Sequence, residues 1–542
     1  MLASGTPASA QGFQARPQLD FLHVAGTAEK RYILETNGSG VALFDYDGDS
    51  DLDVYLVNAS TLERLGKGEP GERNRLFRND GAWSFTDVTE LAGVGDRGFG
   101  QGVAVADVDN DGDSDLYVSN YGPNVLYRNN GDGTFSVSAA GVEDPRWSTS
   151  AAFADVDADG FLDLYVCNYL DFDRELLDRL IPRRFCEWKG LQVQCGPKGF
   201  AFVSGALYHN RGDGTFEDWT DHAGVASRET YQLGVVFSDL DLDGDQDLYV
   251  ATDTTMNLLF ENQGAGRYRH VSLLSGAGLS QNGAEQAGMG VDVGDVNGDG
   301  RLDLFVTNFS DDYNTLYLNQ GDLTFVDSTD LAGLGLASLS YLGWSTFLAD
   351  LDADGDLDIF VVNGHVYPQV EGSEVGETFR QPMQVFLNRG DGTFEDVSRD
   401  LGSALSEPRS SRGAALGDLD GDGSQDVVVN VMDSAPVLLQ NGLPGDRGAV
   451  VLRLVGKRSN RDAIGAMVWA KTRAKTQVRE VRGARGYLSH SDTRLYFGFA
   501  GSPTIDELTV EWPGGGRDTL VDLVPGTYTV VQDVGIVAED RK

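Results

Sequence analysis

Apolar positions along this chain fall into two kinds of short run that keep returning. The first is continuous and opens on glycine: GVALF at 40–44, GVAVA at 102–106, GVVFS at 234–238, GAALG at 413–417. The second alternates with period two and is rich in aromatic and β-branched residues, as in DLYVSN, DLYVCN, DLFVTN, DIFVVN and DVVVNV. Both predict strands. An acidic loop separates them each time. Further on, stretches such as NVLYRNNGDGTF and ALYHNRGDGTF set two more runs around a Gly/Asp turn, which predicts a hairpin. One unit therefore holds four antiparallel strands. Its loop starts at residues 45, 107, 155, 239, 295, 350 and 418, at spacings of 48 to 84 residues. Seven such units predict an all-β chain built as a seven-bladed β-propeller. The seventh unit lacks its last strand, whereas LDFLHVAG at 19–26 resembles FTDVTELAG at 85–93. The N-terminal segment is expected to supply that outer strand and so cover two open edges.

Composition sharpens this picture. The chain has 542 residues, 84 acids against 42 bases and a net charge of −42, with 41% hydrophobic residues. That acidity excludes nucleic acid or an anionic membrane as a partner held by bulk charge. No run of about 20 apolar residues predicts a membrane span. The start, MLASGTPASAQGF, has neither the basic nor the apolar part of an export signal. Either such a signal lies upstream or the chain is cytoplasmic.

The charge is concentrated in the loops. Acids stand at loop positions 1, 3, 5 and 9: Asp45, Asp47, Asp49 and Asp53 in the first, and Asp107, Asp109, Asp111 and Asp115 in the second. The third has Asp155, Asp157, Asp159 and Asp163, and the fourth Asp239, Asp241, Asp243 and Asp247. The fifth has Asp295, Asn297, Asp299 and Asp303, the sixth Asp350, Asp352, Asp354 and Asp358, and the seventh Asp418, Asp420, Asp422 and Asp426. Alternate positions of a tight loop point inward together, and position 7 offers a carbonyl. An all-oxygen shell favours Ca²⁺, up to seven ions. The EF-hand is excluded, because its position 12 glutamate is replaced by Leu or Val in every copy. Without a cation, two carboxylates about 4 Å apart repel by roughly 4 kcal/mol at an effective dielectric of 20. The fifth loop, with Asn297, is expected to bind most weakly, and Ser50 stands where the first loop needs glycine.

By these loops, and by Phe99-Gly100 in FGQGVAVADVDNDGD, residues 18 to about 445 resemble the integrin-like FG-GAP, or VCBS, propeller repeats. Beyond 446 the repeat stops, and residues 446–500 hold twelve Lys or Arg against four acids. The segments LVGKRSNRDAIGA, RGARGYLSHSD, LYFGF and LTVEWPGG resemble the ASPIC/UnbV domain, expected as a small β-sandwich. The whole is similar to the cartilage acidic protein family in its bacterial branch. The division expected is a flexible leader at 1–17, the propeller at 18–445, the C-terminal domain at 446–535 and a tail at 536–542. The basic stretch either docks on the acidic propeller or binds an anionic partner through Arg458, Arg461 and Arg485.

Calcium loops and GDG turns share one face, so the long insertions at 169–205 and 364–382 lie on the other. Candidate ligand residues there are Tyr121, Tyr169, Asp253, Tyr313, His365 and Tyr367. Cys186 and Cys195 lie inside the first insertion as either a disulfide or two thiols. No GxSxG, HExxH or phosphate loop is present, and His23, Glu35, His365, Tyr367 and His490 are weak catalytic candidates. Two functions follow. One is a calcium-loaded binding protein for a macromolecule, glycan or small molecule outside the cytoplasm. The other, implied by the UnbV resemblance alone, is a cofactor-free cyclase or C–C bond-forming catalyst of enediyne-type biosynthesis, using the rim and pore.

Overall fold

The computed structural model describes residues 12–172, 186–443, 448–499 and 501–540. Most of the expected leader (1–11), residues 173–185 of the first insertion, and the end of the tail (541–542) lie outside these. The fold is all-β. Seven four-stranded antiparallel sheets follow one another along the chain. The second is typical: Phe99–Ala106, the acidic loop, Asp115–Tyr121, Val125–Asn129 and Phe135–Ser138. The first strand of each sheet packs against the first strand of the next, and that of the seventh against that of the first. These strands are buried along their whole length, which is why they read as continuous apolar runs. Apolar clusters fill the spaces between sheets, such as Phe305 and Leu316 of the fifth against Leu348 and Ile359 of the sixth.

The last strand of the seventh sheet does come from the N-terminus, but not from residues 19–26. Gln14–Ala15 pairs with Leu439 and Gln440, so the closing strand lies inside what the sequence marks as leader. Phe13 anchors it, its ring 5.4 Å from that of Phe360. Leu19 and Phe21 are buried between the first and seventh sheets without forming a strand. Their alternation reflects burial in a wedge rather than pairing.

An asparagine ties each sheet to its neighbour. Asn319, at the end of a third strand, donates its backbone N–H to Asp303 Oδ1 (2.8 Å) and its Nδ2 to Leu240 O (2.7 Å) in the preceding acidic loop. The same bridge recurs from Asn129 to Tyr46, Asn210 to Val108, Asn262 to Val156, Asn388 to Val296 and Asn441 to Leu351. Asn79 completes the cycle by donating to Leu419 of the seventh loop at 2.8 Å. Replacing Asn319 by Ala strands two buried carbonyls, Leu240 O and Leu302 O. Its expected cost is about 1–3 kcal/mol, read as a lower urea midpoint, with exposed Gln320→Ala unchanged.

Beyond residue 448 come two further four-stranded sheets. In one, Ala449–Val455 runs parallel to Gly526–Val531. Gly535–Asp540 is a strand of this sheet rather than a tail. The two share one apolar core that includes Leu452, Val468, Phe497, Leu508 and Trp512.

Candidate metal centres and the opposite face

Each acidic loop is folded around its own carboxylates. Asp107 Oδ1 accepts from Asp111 N (3.1 Å) and Oδ2 from Gly112 N (2.8 Å), so position 1 draws the loop back on itself. Position 9 joins loop to sheet: Asp115 Oδ2 accepts from Val108 N (3.1 Å) and Oδ1 from Asn129 N (2.8 Å). Position 6 is left-handed, with Gly112 at φ 104°, and Ser50 adopts the same turn at φ 77°. Position 4 is left-handed too, even where it is Asn110, Ala158, Leu242 or Ala353. The sequence pattern did not reveal that strain.

The carboxylates converge. Asp45, Asp47 and Asp53 each place an oxygen within 4.8 Å of the others, as do Asp107, Asp109 and Asp115, then Asp155, Asp157 and Asp159, and Asp239, Asp241 and Asp243. Burial disfavours their charge. It pushes Asp53, Asp303 and Asp426 up to about 8, and Asp107, Asp155, Asp239 and Asp350 up to about 7. Asp350 Oδ1 is buried with no hydrogen-bond partner. Clustered, desolvated oxygen donors of this kind fit a hard divalent cation.

The loops are not equal. In three sheets the penultimate residue of the third strand acts on the loop. Arg128 Nη1 lies 2.9 Å from Asp109 and 3.0 Å from Asp115, and His209 Nδ1 lies 2.9 Å from Asp163. In the fourth sheet this place holds Glu261, whose charge adds to that of Asp241.

In a chelated protein the raised carboxylates set a pH dependence. A folded pKa above the unfolded one means the native state holds the extra proton. Stability is then lost as pH rises from the ordinary carboxylate range toward about 8. With EDTA present, the melting temperature is expected to be higher at about pH 5.5 than at about pH 8 by scanning fluorimetry. Equal values would contradict the argument.

The C-terminal sheets sit on the loop face. Glu480 accepts from Asp239 N (3.0 Å), Asp462 from Asp107 N (2.7 Å), and Gly498 N donates to Asp350 (2.8 Å). Lys475 pairs with Asp356 at 2.7 Å. Arg485 reaches Asp292 at 3.0 Å, Arg461 is 4.0 Å from Asp107, and Arg458 pairs with Asp533 at 2.9 Å. Docking therefore occupies Arg485, which is not free for an anionic partner.

From this domain a finger, residues 482–492, enters the space that the first strands surround. It bonds to six of the seven: Val41 and Leu43, Val103, Ser150, Val291, Ser345, and Leu416. A Cβ on Gly40 would lie 1.7 Å from Leu488 O, so glycine there admits the finger. His490 is part of it, buried, with Nδ1 accepting from Val105 N at 3.3 Å. The finger occupies the centre of the pore that a catalytic reading would use.

The other face carries the two insertions. Cys186 and Cys195 are joined as a disulfide, their Cα atoms 5.0 Å apart. They close the hairpin Cys186–Trp188 and Leu191–Val193. Lys189 at its tip reaches Asp311 (2.8 Å) and Glu377 (2.7 Å), so the two insertions meet. Beneath them lies a cavity of about 240 Å³ whose lining includes Tyr169, Asp253 and Tyr367. His365 stands beside it, fully buried, with Nε2 3.3 Å from Glu377 and Nδ1 accepting from Tyr367 N at 3.0 Å. Tyr121 and Tyr313 are elsewhere. Tyr121 packs among Phe99, Trp147 and Phe172 beside a separate hollow of about 500 Å³. Tyr313 donates to Asp327 at 3.0 Å. His23 contacts Ser39 at 3.1 Å, and Glu35 accepts from the backbone of Thr27, Arg31 and Tyr32. Both brace the entry to the first sheet. The sequence reading missed Trp188, Trp344, Asn37 and Gln194, which also line the cavity. Only the Cys186–Cys195 bracket around Trp188 hinted at any of them.

Two family models match the two parts of the chain. The FG-GAP-like repeat model matches residues 45–118, 107–166, 203–250, 239–306, 295–361 and 375–429, and the ASPIC and UnbV model matches 456–535. Cartilage acidic protein 1 of Xenopus tropicalis is 26% identical over 524 residues, 93% of this chain and 65% of that protein. The Mus musculus protein is 26% identical over 309 residues, 56% of this chain and 45% of its own length. The chain thus spans less than two thirds of these relatives. Among solved structures, YCF48 bound to D1 peptide has a TM-score of 0.42 at 8% identity, covering 80% of this chain and 96% of that one. Rhamnogalacturonan lyase YesW has 0.39 at 14% identity, covering 81% and 77%.

Proposed function

This chain belongs to the FG-GAP-like repeat family and carries an ASPIC and UnbV domain, and from that we propose that it is a calcium-binding seven-bladed β-propeller acting as an extracellular or envelope binding protein. The observation that carries the reading is the recurrence of one acidic loop, seven times in the sequence, with carboxylates brought within 4.8 Å of one another in at least four copies. Positions 1, 3, 5 and 9 would hold Ca²⁺, which supplies the positive charge that these buried oxygens lack. Loops four and six are the best candidates. In loop two, Arg128 already neutralises Asp109 and Asp115, so it, rather than the fifth loop singled out by Asn297, fills last, and the number of tight sites falls below seven.

The propeller spans the seven sheets, and the C-terminal unit, two packed sheets, closes its calcium face. That leaves the opposite face, with both insertions, as the binding face for a protein, glycan or small molecule. The disulfide from Cys186 to Cys195 suits an oxidising compartment. Among the described residues no helix is long and apolar enough to cross a membrane. The vertebrate relatives bear the name cartilage acidic protein. Elemental analysis tests the metal directly: protein dialysed against about 1 mM calcium is expected to retain several calcium ions per chain. Retention no greater than in a buffer blank overturns the reading.

A further inference from the structure

The cavity under the two insertions has a chemistry of its own. At about 240 Å³ it holds the volume of roughly eight liquid waters. That is room for one small group and not for a polymer segment. Five aromatic residues, Tyr169, Trp188, Phe309, Trp344 and Tyr367, contribute to its walls. Its titratable lining is otherwise Asp253 and Asp312, with no Lys, Arg or His among the described residues. Lys198 influences both carboxylates from an exposed position, yet pairs with neither among the described residues.

The polar atoms there include unpartnered ones of both kinds, an acceptor at Gln194, a donor at Asn37 and a hydroxyl at Thr254. Gln194 is 5% exposed and its Oε1 has no partner; Asn37 is 3% exposed and its Nδ2 has none. Thr254 Oγ1 is likewise unpartnered. Asp253 accepts one bond, from the Tyr169 hydroxyl, and burial raises its pKa to about 6. Among the described residues no cation pairs with it directly. Two of the rings already attract cations: Lys189 Nζ lies 4.6 Å from the centre of Trp188, and the Arg412 guanidinium 4.2 Å from that of Trp344. The finger positions the wall from behind. Tyr487 packs on Trp344 at 4.8 Å, and its hydroxyl points to Asn37 O at 3.4 Å.

We propose that this cavity binds a small organic cation, a protonated amine, with Asp253 as its countercharge and the Trp and Tyr rings as its walls. This rests on the reading of this face as the binding face and names what it takes. A neutral sugar ring would also meet aromatic walls, but it leaves Asp253 and Asp312 without positive charge.

Calorimetric titration of the calcium-loaded full chain at about pH 7 separates these. Cyclohexylammonium is expected to bind at least about tenfold more tightly than its neutral isostere cyclohexanol, and more tightly than glucose. Asp253→Asn and Trp188→Leu are each expected to weaken ammonium binding about tenfold, while Asp20→Asn leaves it unchanged. Trp188 lies on a surface hairpin, so its variant reports even if Asp253→Asn fails to fold. Equal binding of cyclohexanol or glucose, absence of ammonium binding, or binding indifferent to both variants overturns the proposal. Calcium content is measured on the same samples. A protein that keeps its calcium yet shows no ammonium preference loses this inference alone; a protein without calcium loses the metal reading instead.

Discussion

Stripped of divalent cations by excess EDTA, the protein is expected to melt at least about 10 °C lower than when calcium-loaded. The argument is additive. A ligand that binds only the native state stabilises it by about 2.7 kcal/mol when present at 100 times its dissociation constant. Several filled loops together reach the whole stability of an ordinary domain, about 5–15 kcal/mol. An unfolding entropy of about 2.1 cal/mol/K per residue makes each kcal/mol worth about 1 °C in a chain of this size, so four or more emptied loops bring the fall to about 10 °C. Chelation also reaches the C-terminal domain. Asp107, Asp239 and Asp350, each the first residue of a loop, are bonded to Asp462, Glu480 and Gly498. Charge released in the loops therefore repels Asp462 and Glu480 across that contact. Differential scanning calorimetry measures the shift. Calcium restores the loaded value, and magnesium does so poorly because it keeps its waters and demands octahedral geometry. An unchanged melting temperature would refute the metal reading.

Much of this was legible because the repeat writes the same physics many times. The acidic loop, the buried strand before it and the alternating strand after it recur at fixed offsets, so chance is averaged out. What was not legible had no repeat to amplify it, or was hidden inside one. Asn319 and its six counterparts stand at the head of the GDG hairpin, where Asn reads as turn chemistry. Their cross-sheet donation depends on a neighbour 79 to 106 residues away in the chain, and 340 away for Asn79. The closing strand at Gln14–Ala15 is two residues long, too short for any period. The finger at 482–492 has no alternation because it pairs with no sheet of its own. Its glycines, serines and backbone satisfy six surrounding strands one bond at a time. The cavity joins Asn37, Tyr169, Asp253 and Trp344, which only the cyclic arrangement of sheets brings together. Trp188 stood in plain view between two cysteines, yet nothing local said that it would face Tyr367 at 5.7 Å.

Asp292→Ala is expected to cost about 3–5 kcal/mol, the largest effect of any single substitution away from the loops. Asp292 is completely buried in the first strand of the fifth sheet. Arg482 meets one of its oxygens at 2.9 Å and Arg485 the other at 3.0 Å, and Leu348 N donates to it at 2.7 Å. Both arginines belong to the finger. Removing the carboxylate leaves two guanidinium groups in the interior, with only Glu480 near Arg482, at 3.7 Å. Burying unpaired charge is what makes the loss large; the pair itself adds little over an apolar contact. The triple variant Asp292→Ala, Arg482→Met, Arg485→Met should thus recover most of the loss, which a structural cavity at Asp292 alone would not allow. Urea unfolding of the three proteins measures both steps. If Asp292→Ala shifts stability by less than about 1 kcal/mol, the finger is not held by this triad. Because the same finger carries Tyr487 to the back of Trp344, a loosened finger should also unsettle the far cavity, visible as a red shift in tryptophan emission.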